Sequence, residues 1–295
     1  MGTFRKFEYL EPSTINEAIM MLQQHDGSLL LAGGTDLLVK MQDGKLAPQV
    51  LISLTSIPGL DTIRLEDSSL SIGAMVTHSD LEKSALIRRE FALLADAARE
   101  IGSPQIRNVA TIGGNLCNAA PSADLATPLI ALNAVVKLTG PNGERILPLE
   151  NLFTGPSKTI LAREEVMTEI KVPRLPPHSG GAFIKYAVRN AMELALISVS
   201  VVLTLDVESG VCTDARIAMG VVAPVPIRAK SAESVLIGKK LDEKLTEQAG
   251  LAAVEEARPR SSFRASAEYR REVLKVLMRR AINKASERVV RQTEL

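Results

Sequence analysis

Two pairs of adjacent glycines constrain the fold of this chain more than any other feature. Gly33–Gly34 ends the apolar run Leu29–Ala32 and is followed by Thr35–Asp36. Gly113–Gly114 lies within segment 101–128, which is apolar but rich in Gly, Asn, Ser and Thr. Adjacent glycines let the backbone approach a ligand closely, and consecutive N–H groups can bind one anion. We therefore predict two loops that hold a ligand with two phosphates between them.

Composition indicates an ordinary globular protein. At 295 residues the chain is long enough for two or three units with a substantial core, and its hydrophobic content is 46%. A net charge of +1 provides no field that would recruit nucleic acid or a membrane surface. The aromatic content of 3% argues against a platform for stacking bases. No apolar run reaches the ~18 residues of a spanning helix.

The cysteines and histidines provide no metal centre by their spacing. Cys117 and Cys212 are too few to ligate an iron–sulfur cluster by cysteine alone. The three histidines, His25, His78 and His178, show no motif spacing, so we predict no metal site. Residues 1–7 lack the apolar core of a secretion signal, and we expect a cytoplasmic chain with reduced thiols.

Local patterns predict where several elements begin. Thr14 and Glu17 have the spacing of a capping box ahead of an apolar helical face, and Ser79 and Glu82 suggest a second one. Residues 134–149 contain two strand-like segments around Pro-Asn-Gly, which predicts a hairpin.

A composition break at Leu175–Gly181, rich in Pro and Gly, is interpreted as a linker between two domains. We predict an N-terminal domain of residues 1–175, with lobes of about 1–56 and 57–175, and a C-terminal domain of residues 180–295. The C-terminal part contains three strand-like segments and then helices, at residues 182–188, 195–206, 211–222, 229–237, 242–257 and 266–291. This order predicts an α+β fold.

The chain lacks the usual catalytic motifs. Neither glycine pair has the G-x-G-x-x-G spacing of a Rossmann fold, and Gly33–Asp36 lacks the Lys-Ser/Thr ending of a P-loop. The histidines have no evident Ser or Cys partner, and Cys117 is interpreted as a packing residue. Any chemistry is therefore expected to come from a bound cofactor.

The ordered set of motifs resembles the FAD-binding subunit of the molybdenum hydroxylases, which include xanthine dehydrogenase and the medium subunit of aerobic carbon monoxide dehydrogenase. The resemblance covers essentially the whole chain and rests on Ala32–Asp36, Gln105–Asn108, Thr111–Asn115, Asp124 and Phe183–Tyr186. It implies a two-lobed FAD-binding domain of the PCMH/vanillyl-alcohol-oxidase type. A C-terminal flavoprotein domain with a three-stranded antiparallel sheet plus helices would follow.

The resemblance also implies roles for individual residues. Backbone N–H groups of the first glycine segment would hold the FAD diphosphate, and the second segment would contact it from the other side. Asp124 would bond a ribityl or ribose hydroxyl, and Lys185 would lie near the flavin ring. The full set of implied FAD-binding residues is Leu30, Leu31, Ala32, Gly33, Gly34, Thr35, Asp36, Leu37, Ile101, Gly102, Ile106, Thr111, Gly113, Gly114, Asn115, Asp124, Met167, Thr168 and Lys185.

The implied function is electron transfer within a three-component hydroxylase. A large molybdopterin-binding subunit would oxidise the substrate, and a small [2Fe-2S] subunit would pass electrons to FAD on this chain. An external acceptor, NAD or a quinone, would then receive them. Two alternatives stay open, namely a stand-alone flavin oxidoreductase and a non-catalytic assembly subunit.

Two departures from the family pattern matter. Many relatives carry Gly-Asp-aromatic after the position of Arg189, whereas this chain has Met192–Leu194, so an aromatic cover on the flavin is left open. Some relatives carry a cysteine-rich loop with a further iron–sulfur cluster, and two cysteines exclude that branch.

Overall fold

The computed structural model describes residues 5–189 and 191–293, with side chains as far as residue 290. The first four residues of the N-terminal segment considered above therefore lie outside the described residues. Within the described ranges, no helix combines the length and apolar character needed to cross a membrane.

The elements are numbered along the chain. The strands are β1 (Glu8–Leu10), β2 (Leu29–Leu31), β3 (Val50–Ser53), β4 (Ile63–Leu65), β5 (Ser69–Gly73), β6 (Val135–Gly140), β7 (Gly143–Pro148), β8 (Phe153–Gly155), β9 (Lys158–Thr159), β10 (Val166–Pro173), β11 (Ser179–Tyr186), β12 (Ile197–Leu205), β13 (Cys212–Gly220) and β14 (Ile227–Arg228). The helices are α1 (Ile15–Gln24), α2 (Leu37–Gln42), α3 (His78–Lys83), α4 (Ala85–Glu90), α5 (Ala92–Arg99), α6 (Pro104–Arg107), α7 (Ile112–Asn118), α8 (Ala126–Ala131), α9 (Lys230–Leu236), α10 (Glu243–Glu256) and α11 (Ala267–Thr293).

The first lobe is a small parallel sheet in the order β1-β3-β2. Helix α1 connects β1 to β2, and its buried face packs in one core with β3. The predicted cap is confirmed, because the Thr14 hydroxyl accepts from the Glu17 N–H at 3.1 Å. The second bond of the predicted capping box is shifted by one residue, because the Glu17 carboxylate accepts from the N–H of Ser13 at 2.7 Å instead of from that of Thr14. Strand β2, which follows α1, ends two residues before Gly33.

The second lobe is an antiparallel sheet in the order β4-β5-β10-β6-β7. The predicted hairpin is confirmed as β6 and β7, joined through Gly143 at φ +104°. Helices α3 to α8 supply much of the apolar core against this sheet, including fully buried Leu94, Leu116 and Leu129. Full burial of a leucine stabilises the fold by about 1.5–3 kcal/mol.

The capping box predicted at Ser79 and Glu82 is wrong. Helix α3 begins two residues earlier, with Thr77 as its cap. The Thr77 hydroxyl accepts from the Asp80 N–H, and Asp80 accepts from the Thr77 N–H, both at 3.1 Å. Thr77–Asp80 and Ser79–Glu82 both have the spacing of a capping box. The structure forms the Thr77–Asp80 box, which leaves the side chains of Ser79 and Glu82 free for tertiary contacts.

The C-terminal part contains the predicted antiparallel sheet and helices. Three long strands, β11, β12 and β13, pair in sequence, and the two-residue strand β14 adds a fourth. Helix α11 packs across β11 and β12, and α10 packs between α11 and α9. The core contains small residues such as Ala249 and Ala281 at these helix contacts. Small side chains allow the helices to approach closely.

Gly180–Gly181 does not form the linker predicted at Leu175–Gly181, because both glycines lie in β11. A Cβ on Gly180 would lie 2.3 Å from the carbonyl oxygen of Ala285 in α11. A Cβ on Gly181 would lie 2.8 Å from the Leu93 side chain in α5. These glycines are therefore needed where helices from both parts of the chain approach β11.

Candidate functional site

A cleft of about 420 Å³ lies between the first and second lobes. Its walls come from the end of β2, the segment into α2, the start of α3, helix α7 and the start of β10. The predicted site residues that line it are Leu30, Ala32, Gly33, Gly34, Thr35, Asp36, Leu37, Ile101, Ile106, Thr111, Gly113, Gly114, Asn115 and Met167. The structure thus brings together most of the residues that the motifs indicated.

The first glycine segment presents free backbone donors. In the described part of the chain, the N–H groups from Gly33 to Leu37 donate to no protein acceptor. Helix α2 starts with bonds further on, from the Leu38 N–H to the Gly34 oxygen at 2.9 Å and from the Lys40 N–H to the Asp36 oxygen at 3.0 Å. Free N–H groups at the start of a helix favour a bound anion. This segment therefore fits a diphosphate.

The glycines in this segment also meet requirements of the fold itself. A Cβ on Gly33 would lie 1.9 Å from the carbonyl oxygen of Val109, which belongs to the second lobe. Gly34 has φ +70°, a conformation that L residues rarely adopt. Gly33 is thus required by contact between the lobes and Gly34 by the turn. Close approach of either one to a diphosphate stays a prediction.

The second glycine pair does not form a loop. Thr111 caps helix α7, and both glycines lie in its first turn. The N–H groups of Ile112, Gly113 and Gly114 donate to protein oxygens at 2.9, 2.9 and 3.1 Å. The expectation of a second set of free N–H groups is therefore wrong. A role for Thr111–Asn115 in holding FAD stays a prediction and depends on side chains.

Two buried polar atoms beside the cleft have no partner among the described residues, the Asn115 Oδ1 and the His78 Nδ1. Both residues line the cleft. Buried polar atoms are almost always hydrogen-bonded in folded proteins, so such orphans indicate a missing partner. Hydroxyl and amino groups of FAD are donors of the required kind for Asn115. Together with the free N–H groups, these atoms fit FAD.

His78 is kept neutral by its surroundings. It is only 1% exposed, and burial together with the nearby Arg107 lowers its pKa from 6.5 to about 4. Arg107 itself is held by Glu82 at 2.8 Å, and Ser79 donates to Asn108 at 2.6 Å. These bonds attach α3 to the segment that leads into α7. His78 therefore presents an uncharged imidazole to the cleft near neutral pH.

Replacement of His78 by glutamine is expected to remove an acid-dependent loss of stability. Between pH 6.5 and 4 the unfolded chain binds a proton that the folded chain excludes, so the free energy of unfolding falls as pH falls. At about 1.4 kcal/mol per pKa unit, this amounts to about 3 kcal/mol across the window. Urea unfolding of wild type and His78→Gln at pH 7 and pH 4 measures the difference. An identical pH dependence in both proteins would contradict a buried neutral His78.

Asp124 and Lys185 form a buried ion pair. The Lys185 Nζ lies 2.8 Å from the Asp124 Oδ2 and donates also to the Glu100 carbonyl at 2.9 Å. Burial raises the pKa of Asp124 to about 6, although Lys185 acts in the opposite direction. The Asp124 Oδ1 is buried and has no partner among the described residues. Asp124 and Lys185, both predicted to contact FAD, therefore bind each other in this structure.

Five predicted residues do not line the cleft. Leu31 lies in β2, Thr168 is buried in β10, and Gly102, Asp124 and Lys185 gather beside the turn after α5. The Met192 N–H donates to the Gly102 oxygen at 3.1 Å, which docks segment 191–194 on that turn. Contacts of these five residues with FAD stay a prediction.

Sequence reasoning missed several residues of the cleft wall, including Lys40, His78 and Asn118. Helical spacing from Asp36 places Lys40 on the same face of α2, so that signal was available. Cys117, interpreted as a packing residue, lines the cleft and is exposed as a residue, while the surrounding atoms bury its thiol and raise the pKa of that thiol to about 12. None of the described lining residues is Phe, Tyr or Trp.

Among the described residues, no group of three or more His, Cys, Asp or Glu side chains could hold a metal ion. The arrangement instead offers a partly apolar cleft with free backbone N–H groups at one wall. Apolar walls with a few placed polar groups are typical of cofactor sites.

Two family descriptions match the sequence. "FAD binding domain in molybdopterin dehydrogenase" matches residues 5–175, and "CO dehydrogenase flavoprotein C-terminal domain" matches residues 182–285. The putative xanthine dehydrogenase FAD-binding subunit XdhB of Escherichia coli (strain K12) is 36% identical over 94% of this chain and 95% of its own. The carbon monoxide dehydrogenase medium chain of Hydrogenophaga pseudoflava is 36% identical over 95% of this chain and 97% of its own.

Chains of related enzymes with solved structures are also similar to this chain over nearly its whole length. A chain of carbon monoxide dehydrogenase from Hydrogenophaga pseudoflava, in a form lacking the Mo-pyranopterin moiety of the molybdenum cofactor, superposes with a TM-score of 0.93 at 36% identity, covering 97% of this chain and 99% of the other. A chain of quinoline 2-oxidoreductase from Pseudomonas putida 86 superposes with a TM-score of 0.91 at 28% identity, covering 97% and 98%. This chain is therefore an oxidoreductase subunit that binds FAD and belongs to the FAD-binding medium-subunit family of the molybdenum hydroxylases.

Proposed function

We propose that this chain is the electron-exit subunit of a molybdenum-containing dehydrogenase. It receives electrons from iron–sulfur clusters of a small partner subunit and passes them to an external acceptor, NAD or a quinone. The cleft between the lobes carries this proposal, because it combines free N–H groups at Gly33–Leu37 with orphaned polar atoms that fit FAD. Bound FAD accepts and releases electrons singly or in pairs, which suits this position in a chain of carriers.

The partners proposed are a large molybdopterin-binding subunit and a small [2Fe-2S] subunit. Support comes from the relatives, which are described as FAD-binding subunits or medium chains of larger enzymes. The solved relative from Hydrogenophaga pseudoflava is described as lacking the Mo-pyranopterin moiety of the molybdenum cofactor, a description that names this cofactor as belonging to that enzyme. We propose further that residues 1–175 hold FAD and that residues 180–295 form the second domain.

In this proposal, different residues bind different parts of FAD. The N–H groups of Gly33–Leu37 bind the diphosphate, and the Asn115 amide oxygen accepts a hydrogen bond from a sugar hydroxyl. Lys185 places a positive charge near the isoalloxazine, where a cation favours the reduced form. Asp124 holds the Lys185 ammonium group in position through their 2.8 Å contact.

Replacement of Gly114 by valine is expected to abolish FAD retention. A Cβ here would lie 2.9 Å from the Thr111 hydroxyl and 3.9 Å from the Ala32 side chain, so the valine methyl groups would occupy the space between the two glycine segments. Gly114→Ala is the graded control, because its methyl group would press on the Thr111 hydroxyl that caps α7 without placing further methyl groups between the glycine segments. Flavin content after gel filtration measures the effect. Undiminished flavin in Gly114→Val would contradict the placement of FAD.

The electron route is tested in the complex isolated through a tag on this chain. We expect two further polypeptides, molybdenum and iron to co-purify. After reduction with dithionite, NAD or a quinone should reoxidise the iron–sulfur centres of the wild-type complex much faster than those of the Gly114→Val complex. Equal rates would show that electrons leave without passing this chain.

The same preparation separates the alternatives. A yellow chain that purifies alone and oxidises a substrate would support a stand-alone flavin oxidoreductase. A complex that assembles around a colourless chain would support a non-catalytic assembly subunit. Co-purification of both partners with FAD is the result that our proposal requires.

A further inference from the structure

Lys40 lies where a bound diphosphate would need a positive charge, and we propose that its ammonium group binds the FAD diphosphate directly. The inference rests on FAD occupying the cleft between the lobes. Lys40 would supply the full charge that the backbone N–H groups of Gly33–Leu37 lack.

The charge balance of the cleft points to this residue. Among the described residues that line the cleft, Lys40 is the one lysine or arginine, and Asp36 is the one aspartate or glutamate. The imidazole of His78 is neutral there, so the lining carries almost no net charge before FAD binds. Backbone N–H groups carry only partial charges. A doubly negative diphosphate in a partly apolar cleft therefore needs a cation beside it.

Helix α2 places Lys40 next to the free N–H groups. The Lys40 N–H donates to the Asp36 oxygen at 3.0 Å, so the two residues are one helical turn apart. Residues four apart lie on the same helical face, and Asp36, Leu37 and Lys40 all line the cleft. The same short helix thus provides both the free N–H groups and the charged side chain.

The Lys40 side chain already extends across the cleft. Its Nζ lies 2.5 Å from the Oδ1 of Asn118, the last residue of α7, so the contact joins α2 of the first lobe to α7 of the second. Asn118 is neutral, and a phosphate oxygen would offer the stronger, charge-assisted bond. An ammonium group has three donors, so Lys40 can bind phosphate while keeping Asn118.

The test uses the full-length chain with its flavin removed. Calorimetric titrations with FAD and with ADP, which shares only the diphosphate and adenosine part, would compare wild type, Lys40→Met and Lys40→Arg. We expect Lys40→Met to bind both ligands about tenfold to a hundredfold more weakly, as for loss of a hydrogen bond to a charged group. The loss should shrink as salt increases, and Lys40→Arg should recover most of it.

Lys45→Met is the matched control, because the Lys45 side chain is 70% exposed, its one ion pair within the described residues is with Asp43, and it does not line the cleft. It should bind as wild type does. Unchanged affinity in Lys40→Met would overturn the inference. So would a loss that is independent of salt and not recovered by arginine, because that pattern indicates a structural role. Wild type that bound neither FAD nor ADP would instead refute the FAD cleft itself, and this inference with it.

Discussion

Replacement of Gly33 by alanine is expected to separate the two lobes and to abolish tight FAD binding. The added Cβ would lie 1.9 Å from the Val109 carbonyl oxygen and 2.9 Å from the Ala110 Cα, both backbone atoms. Backbone cannot rotate away as a side chain can, so the first lobe must move by more than an ångström. Overpacking of this kind costs about 3 kcal/mol or more.

Two measurements detect the effect of Gly33→Ala. Urea unfolding gives the loss of stability, and flavin fluorescence gives the FAD affinity, which we expect to fall by about a hundredfold or more, the equivalent of roughly 3 kcal/mol. Gly155→Ala is the control, because a Cβ there meets nothing closer than 3.8 Å and Gly155 is not one of the residues that line the cleft. Near-equal stability and FAD affinity in Gly33→Ala and Gly155→Ala would contradict the interlobe contact.

Replacement of Lys185 by methionine is expected to cost about 3–5 kcal/mol at pH 8, since it leaves a buried carboxylate without its partner. The side chains of Lys185 and Asp124 are only 4% and 10% exposed. The pKa of Asp124 is already raised from 3.8 to about 6 by burial, and loss of the cation raises it further. The folded variant therefore binds a proton that the unfolded chain releases, and its stability increases as pH falls from 8 towards 4.

Two variants complete this test. Lys185→Met combined with Asp124→Asn should recover much of the stability at pH 8, because no unpaired charge is left. Lys45→Met, which removes an exposed ion pair, should cost at most about 1 kcal/mol. In the FAD-loaded chain, Lys185→Met should also lower the reduction potential. An unaltered potential would remove Lys185 from the flavin environment while leaving its structural role intact.

The sequence allowed prediction of the elements whose signals are local. The Thr14 cap, the hairpin around Gly143 and the long C-terminal helix α11 all form as expected. The residues around Gly33 and Gly113, predicted from the sequence to form one site, line the same cleft, and their contacts with FAD stay a prediction.

The errors arose where tertiary contacts decide between equivalent local patterns. Both capping-box spacings near residue 80 were plausible, and contacts of Ser79 and Glu82 with the segment before α7 favour Thr77 as the cap. Gly180–Gly181 resembled a linker, yet close approach of α5 and α11 requires glycine within a strand. Such approaches involve residues far apart in sequence and leave no local signal.

The second glycine pair shows that long-range contacts also limited the prediction of the site. A Gly-Gly-Asn sequence predicted free N–H groups, but the Ala74 carbonyl and the Thr111 hydroxyl take those of Gly113 and Gly114. The continuous run of free donors lies instead in the first glycine segment, from Gly33 to Leu37. The sequence predicts that both segments contact the ligand, and only the structure shows which one offers a run of free N–H groups.

This chain binds FAD, and we expect the cofactor to lie between the two lobes. The most direct measurement is the visible absorbance spectrum of the purified chain, with the released chromophore identified by mass. We predict a flavin spectrum and a single FAD for each chain, lost in Gly114→Val. A colourless wild-type chain that also fails to take up added FAD would contradict FAD binding by this chain.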